Sequence, residues 1–200
     1  IGAATQFNRY SDPPGGEGRK LKDKSIKAAS IQDKLTYAGL VLLAFELMKN
    51  LIVDPIKTFY YRTTFSAASP FKTYDADVRS RHKNEFEACL LYLRDFMEAI
   101  DGSDFDIIQE VRKKRNEIAH ELSSIIESFR YAEFSELLSK ARKVLFKISN
   151  YRVKMEIGAD PEAQNRGIDW ETVVGSEYFM FDKIMGEINQ ATRRITNGST

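Results

Sequence analysis

Apolar side chains recur along most of this chain at the spacing of an α-helix, and this periodicity limits the possible folds more than any other feature. In one segment, five aliphatic side chains fall within about 60° of one another when each residue advances by about 100° around a helix axis. These residues are Ile107, Val111, Ile118, Leu122 and Ile125. No segment alternates apolar and polar residues in the manner of a β-strand. The sequence therefore predicts an all-α fold.

The predicted architecture is a helical bundle of about five helices. Two long antiparallel helices and the helix that carries the aliphatic stripe are expected to form its core. The predicted bounds are 30–53, 77–100, 105–129, 134–157 and 169–192. Ser30, Asp104 and Asp169 are expected at helix N-termini, because their side-chain oxygens accept backbone N–H groups that the first turn leaves free. Asp54-Pro55 predicts a kink or a restart after the first helix.

The chain is expected to form one domain. Residues 1–24 include Pro13-Pro14-Gly15-Gly16 and many polar side chains, which indicates a flexible lead-in. Residues 25–200 are predicted to form a single helical domain, since a chain of 200 residues can bury about 70% of its unfolded surface. Residues 63–77 lack a helical period and contain Pro70, so a loop is expected there.

The composition argues against a metal centre, a disulfide framework and a cofactor. Cys89, His82 and His120 are the only cysteine and histidines, and the carboxylates show no ligand spacing. Cys89 lies in an apolar run and is expected as a small core residue, which fits a reducing cytoplasm. The net charge of +1 gives no overall attraction to nucleic acid, so any affinity for RNA has to come from local clusters.

No membrane segment is expected. The longest apolar run, residues 38–53, is interrupted by Glu46, Lys49 and Asn50, and is too short and too polar to span a bilayer. No basic start followed by a short apolar core indicates a signal peptide. A cytoplasmic location is therefore predicted.

Arg115 interrupts the aliphatic stripe. With Ile107 at zero, Ile108 and Ile126 mark the edge of the stripe near about 100°, and Arg115 falls inside it at about 80°. Asn116 and His120 fall at about 180° and 220°. A charged residue at an apolar position is a place where function or strain is expected. Arginine is a permanent planar donor suited to phosphate, and histidine exchanges protons near neutral pH. The three residues therefore predict a site that handles a phosphodiester, although Arg115 and His120 point about 140° apart on one helix.

The segment Arg115-Asn116-Glu117-Ile118-Ala119-His120 resembles the Arg-x4–6-His motif of HEPN domains, in which a polar residue often follows the Arg. The resemblance covers roughly residues 34–150. It implies a helical bundle that is commonly dimeric. Many HEPN domains are metal-independent endoribonucleases of toxin–antitoxin, phage-defence and CRISPR systems. The resemblance thus implies RNA as substrate, a homodimer, and an antitoxin or another defence-system protein as a possible partner.

The same resemblance implies catalytic roles for Arg115, Asn116 and His120. His120 is expected to act as general base or acid while the 2′-hydroxyl of the RNA attacks the adjacent phosphorus. Arg115 is expected to stabilise the charge that accumulates on the phosphate oxygens, and Asn116 to orient the imidazole or bind the phosphate. The basic run Arg112, Lys113 and Lys114 is a candidate RNA-binding surface.

Each of these residues also has a purely structural interpretation. His120 is also explained as an ordinary surface histidine, and Arg115 as a residue that pairs with Glu46, which interrupts an apolar run on the first helix. The basic runs 79–83 and 112–115 are each explained as solvated surface. The alternative function is a non-catalytic helical module that dimerises or binds a partner. Candidate contact residues for such a module are Tyr131, Phe134, Tyr178, Phe179 and Phe181.

Overall fold

The structure, a computed structural model, describes residues 31–63, 73–121 and 129–197. All regular secondary structure within these ranges is helical, which confirms the all-α class. The helices are α1 (Ile31–Thr63), α2 (Tyr74–Asp77), α3 (Glu85–Asp95), α4 (Gly102–His120), α5 (Tyr131–Ile157), α6 (Pro161–Gln164) and α7 (Ser176–Asn197). A 3₁₀ turn, Arg79–Arg81, lies between α2 and α3. The predicted lead-in 1–24 and the cap Ser30 lie outside the described residues, as does most of the predicted loop 63–77.

Helix α1 is longer than the sequence indicates. The prediction that it ends near Val53, with a kink or restart at Pro55, is wrong, because one helix of 33 residues contains Pro55 and continues to Thr63. Leu51, Val53 and Ile56 on both sides of the proline are buried. Their packing stabilises the helical path and offsets the hydrogen bond that the proline cannot donate.

The length of α1 also changes the membrane argument. The most apolar 18-residue stretch of Ile31–Tyr61 has a mean hydropathy of 1.5, and the segment is long and apolar enough to cross a bilayer by length and composition alone, contrary to the expectation from residues 38–53. Half of its most apolar stretch (50%) is buried inside the protein. Helix α1 packs most extensively against α7 and also contacts α3, α4 and α5. A core helix of a soluble protein passes the same test of length and composition.

The prediction of a second long helix over 77–100 is wrong. Helix α2 ends at Asp77, His82 adopts an extended backbone, and Asn84 caps α3 by accepting the N–H of Glu87 at 3.1 Å. Helix α3 ends at Asp95. The helix that packs most extensively against α1 is α7, near the other end of the described chain, and not the second helix that the sequence predicts.

The later helices follow the prediction more closely. Helix α5 begins three positions before the predicted 134–157 and ends at the predicted residue. Asp169 caps a turn and not a helix, since its Oδ1 accepts the N–H of Glu171 at 3.0 Å, and α7 begins only at Ser176. Asn150 on α5 holds this turn by donating from Nδ2 to the carbonyls of Trp170 and Val173, both at 2.8 Å.

Helix α4 is anchored at its start by a buried carboxylate. Its N-cap is Asp101 and not the predicted Asp104, but Asp104 completes a capping box. Asp101 Oδ1 accepts the N–H of Asp104 at 2.8 Å, and Asp104 Oδ2 accepts the N–H of Asp101 at 3.3 Å. Lys147 Nζ on α5 lies 2.7 Å from Asp104 Oδ2. These contacts fix the start of α4 against α5.

We expect Asp104→Ala to lower the free energy of unfolding by about 2 kcal/mol, because it removes a cap and leaves Lys147 without its buried partner. Urea denaturation followed by circular dichroism measures the loss. Asp106→Ala, at an exposed position of the same helix, is the matched control and should change stability by less than about 0.5 kcal/mol. Equal losses for the two variants would contradict this role of Asp104.

Candidate active site at the end of helix α4

The Arg115–His120 segment lies at the C-terminal end of α4. Ile108, Val111 and Ile118 are the buried aliphatic residues of this helix, and they face the core formed with α5, α1 and α3. The helix ends at His120, so the prediction of one helix over 105–129 with the motif in its middle is wrong at this point. Residues 122–128 lie outside the described ranges. The periodicity of apolar residues did not reveal the end, because it reports which side chains face the core and not where backbone hydrogen bonding stops.

Arg115 is held at the junction of α1, α3 and α4. Its Nη2 lies 3.2 Å from Glu46 Oε1, which is the ion pair that the sequence suggested. Its guanidinium carbon lies 5.2 Å from the centroid of the Phe45 ring, and Phe45 packs in turn against Phe86 of α3. Arg115 Nη1 donates to Asn116 Oδ1 at 3.3 Å. The guanidinium therefore has a defined position, stacked on one ring and fixed at both terminal nitrogens.

The charge of Arg115 is only partly compensated. Its Nε is buried and has no hydrogen-bond partner among the described residues. Glu46 is 48% exposed and shares its carboxylate with Lys49, whose Nζ lies 3.6 Å from Oε2. An ion pair at such an exposed carboxylate contributes little, typically about 0–1 kcal/mol. The pair with Glu46 is thus weak enough for a phosphate to compete for the guanidinium.

His120 is separate from Arg115 within one chain. Its side chain is exposed, and within the described residues it makes no hydrogen bond or ion pair. The structure brings Arg115 and Asn116 into contact but joins His120 to neither. The cause is geometric, because residues five apart on a helix point about 140° away from each other.

The surface of α4 separates charge into sectors. With Ile107 again at zero, three of its four carboxylates fall between about 260° and 300°, and the fourth is the buried Asp104. The sector from about 140° to 240° contains no carboxylate. Its polar members are Gln109, Arg112, Lys113, Asn116 and His120. This acid-free face of α4 ends at the candidate catalytic histidine.

The basic run predicted as an RNA-binding surface is divided by these sectors. Arg112 and Lys113 lie on the acid-free face, whereas Lys114 Nζ lies 2.9 Å from Glu117 Oε2 in the acidic sector. Arg112 and Lys113 therefore share a face with His120, and Lys114 does not.

A second histidine approaches α4 from the segment before α3. Arg112 Nη1 lies 2.7 Å from Glu87 Oε2, and His82 Nδ1 lies 3.7 Å from the same oxygen. The basic segment 79–83 and the basic run on α4 are therefore neighbours in space. The sequence predicts segment 79–83 at the start of a long helix and contains no signal for this contact, because the residues that form it are polar and far apart in the chain.

We expect Arg115→Leu to change the free energy of unfolding by no more than about 1 kcal/mol. Leucine restores the aliphatic stripe next to Phe45, and the carboxylate of Glu46 that is left behind is already half exposed and close to Lys49. Urea denaturation of this variant and of Arg115→Leu combined with Glu46→Gln measures the effect. A large loss for Arg115→Leu that Glu46→Gln restores would instead make Arg115 a structural residue.

Comparisons of the chain with protein-family models, with curated proteins and with solved structures gave no match. The resemblance to HEPN domains therefore depends on the residues from Arg115 to His120 and on the helical setting.

Proposed function

We propose that the protein is a metal-independent endoribonuclease of the HEPN type. One observation supports this most: a guanidinium held in a defined position borders an acid-free helix face, and an unpaired histidine ends that face. The guanidinium supplies charge stabilisation for a phosphate, and the histidine supplies proton transfer near neutral pH. They meet two of the three requirements for cleaving RNA through its own 2′-hydroxyl, and the third is a proton for the leaving 5′ oxygen.

In the proposed reaction, His120 takes the proton of the 2′-hydroxyl while its oxygen attacks the adjacent phosphorus. The bond from phosphorus to the 5′ oxygen breaks, and that oxygen takes a proton from water. The products are a 2′,3′-cyclic phosphate and a 5′-hydroxyl. Arg115 binds the non-bridging oxygens as negative charge accumulates on them. Because the nucleophile belongs to the substrate, DNA is not cleaved.

The structure favours one of the two roles considered for Asn116. Its Oδ1 accepts a hydrogen bond from Arg115 at 3.3 Å, which leaves the amide nitrogen free to donate. An amide donor next to a guanidinium suits a phosphate oxygen. We therefore assign Asn116 to phosphate binding and not to orienting the imidazole of His120.

We further propose that the active form is a homodimer, in which Arg115 of one protomer and His120 of its partner act on one phosphodiester. The exposed face of α1 supplies a surface for the second copy. Leu35 and Leu43 on this face are 44% and 45% exposed, and a Cβ added at Gly39 between them would meet open space. Glu46 lies on the same face, so a partner bound there would be next to Arg115.

The proposed setting is the cytoplasm, in a toxin–antitoxin or phage-defence system with an antitoxin or another defence protein as partner. A single cysteine, Cys89, supports the location, because it excludes an internal disulfide framework and fits a reducing compartment. Its thiol is buried and contacts Tyr74 Oη at 3.4 Å. Burial raises the pKa of this thiol, as expected for a structural cysteine.

The test is an RNA-cleavage assay on purified protein with excess EDTA, using single-stranded and structured RNA. Cleavage of RNA, with a DNA strand of the same sequence left intact, is the expected result. A matched preparation of Arg115→Ala controls for contaminating ribonucleases. Activity that EDTA abolishes and Mg²⁺ restores would overturn the metal-independent mechanism.

The alternative function is a non-catalytic dimerisation module, and one observation favours it. Arg115 already pairs with Glu46 at 3.2 Å, as an arginine with a purely structural role does. The aromatic surface considered for such a module is mostly core: Tyr131, Phe134, Tyr178 and Phe181 are buried, and only Phe179, 63% exposed, is at the surface. A stable dimer in sedimentation that never cleaves RNA would favour this alternative.

A further inference from the structure

Two basic segments that are distant in sequence meet on one side of α4. Glu87 joins them, because its Oε2 lies 2.7 Å from Arg112 Nη1 and 3.7 Å from His82 Nδ1. The next residue after His82 is Lys83, which is exposed. Lys113 follows Arg112 on the acid-free face and is also exposed. Within the described residues neither lysine forms an ion pair, so both charges are available to a ligand.

The side chains of this cluster retain free hydrogen-bond donors. Arg112 contacts Glu87 and Gln109 through Nη1 alone, which leaves its Nε and Nη2 without a described partner. The Nδ1 of His82 accepts the N–H of Asn84 at 3.0 Å, so a neutral ring carries its proton on Nε2. Glu87 therefore fixes Arg112 through Nη1, while, in the described part of the chain, Nε and Nη2 of Arg112 and Nε2 of His82 remain free to donate.

We infer that Lys83, His82, Arg112 and Lys113 form a second phosphate-binding subsite, which holds the RNA strand upstream or downstream of the cleaved bond. The inference rests on the proposed function, since RNA is the ligand. The acid-free face of α4 connects this subsite to His120 without an intervening carboxylate.

The distance from Arg112 to His120 along α4 sets the length of RNA that spans the subsite and the histidine. Arg112 and His120 are eight residues apart on α4, which corresponds to about 12 Å of helix axis. A stacked strand advances about 3.4 Å per nucleotide, so about three nucleotides span this length. The surface is a convex helix flanked by one basic segment, and a flexible single strand follows such a surface more readily than a rigid duplex. The ligand is thus a single-stranded segment of RNA.

The test measures binding apart from cleavage. All proteins carry His120→Ala, and the probe is a fluorescein-labelled 12-nucleotide oligouridine followed by fluorescence anisotropy. Lys83→Glu with Lys113→Glu should weaken binding at least about tenfold at low salt. The slope of the logarithm of the association constant against the logarithm of the salt concentration should become shallower by about 1.4, because two phosphate contacts with a single strand are lost. Lys83→Gln with Lys113→Gln should give a smaller loss in the same direction, and circular dichroism checks the fold of both.

The matched control is Lys140→Glu with Lys143→Glu, which makes the same charge change at exposed positions of α5. Its affinity should stay close to that of the His120→Ala parent. Equal affinities of the Lys83/Lys113 and Lys140/Lys143 variants would overturn the subsite. The proposed nuclease function is tested separately. If the wild-type protein binds RNA through these lysines but never cleaves it, the subsite is supported and the nuclease function is contradicted.

Discussion

His120→Ala is expected to reduce RNA cleavage by at least about 100-fold while leaving the melting temperature unchanged. General acid–base catalysis by a positioned side chain typically contributes about 10²–10⁴-fold, and His120 is the group assigned to it. The imidazole is exposed at the last residue of α4 and has no partner among the described residues, so its removal costs the fold little. Initial rates on a labelled RNA and a thermal melt monitored by circular dichroism measure the two effects.

His82→Ala is the matched control, because it removes the other histidine of the chain. That ring accepts the backbone N–H of Asn84 and approaches Glu87, so its loss should raise KM and leave kcat within about tenfold. A His120→Ala protein with full activity would remove His120 from the mechanism. A loss of activity that parallels a lower melting temperature would make the effect structural.

Mixing Arg115→Ala protein with His120→Ala protein should restore cleavage that neither variant has alone. Arg115 and His120 diverge by about 140° on α4, so a shared phosphodiester requires one residue from each protomer. A heterodimer of the two variants contains one intact site and one that lacks both residues. With random exchange, about half of the dimers are mixed and each has one of two sites, which predicts about a quarter of the wild-type rate.

The variants are mixed, unfolded in urea and refolded together so that protomers exchange, and each parent is treated in the same way. Sedimentation of the mixture confirms that dimers have formed. Parent-level activity in a mixture that contains dimers would show that the two residues do not combine across the interface. Cleavage by a strict monomer would contradict the composite site and would require the stem of Arg115 to reach across its own helix.

The periodicity of apolar residues predicts that the chain is helical, but it predicts the ends of the helices less accurately. Helix α5 is predicted to within three residues at its start, because its buried stripe and its exposed face alternate without interruption. The apolar spacing across Phe86, Leu90 and Leu93 continues to Met97, so it conceals both ends of α3. In the structure Asn84 caps α3 and so fixes where this helix begins. The sequence does not reveal this, because a single asparagine is also common in loops.

The ion pair at the candidate site was predictable because each of its residues breaks a pattern. Arg115 interrupts one apolar stripe and Glu46 another, and the two form an ion pair at 3.2 Å. The meeting of His82 with Arg112 through Glu87 breaks no pattern, because all three are ordinary polar residues on exposed or half-buried positions. Such contacts depend on how α3 packs against α4, which local sequence does not encode.

The chemical identity of the cleaved ends tests the central claim most directly. Purified protein is incubated in EDTA with an RNA oligonucleotide and with the same strand carrying 2′-deoxyribose at the cleaved position, and the products are analysed by mass spectrometry. Attack by the substrate's own 2′-hydroxyl predicts a 2′,3′-cyclic phosphate and a 5′-hydroxyl, with no cut at the 2′-deoxy position. A 3′-hydroxyl with a 5′-phosphate, or cleavage at the 2′-deoxy position, would contradict the assignment of Arg115 and His120 to this reaction.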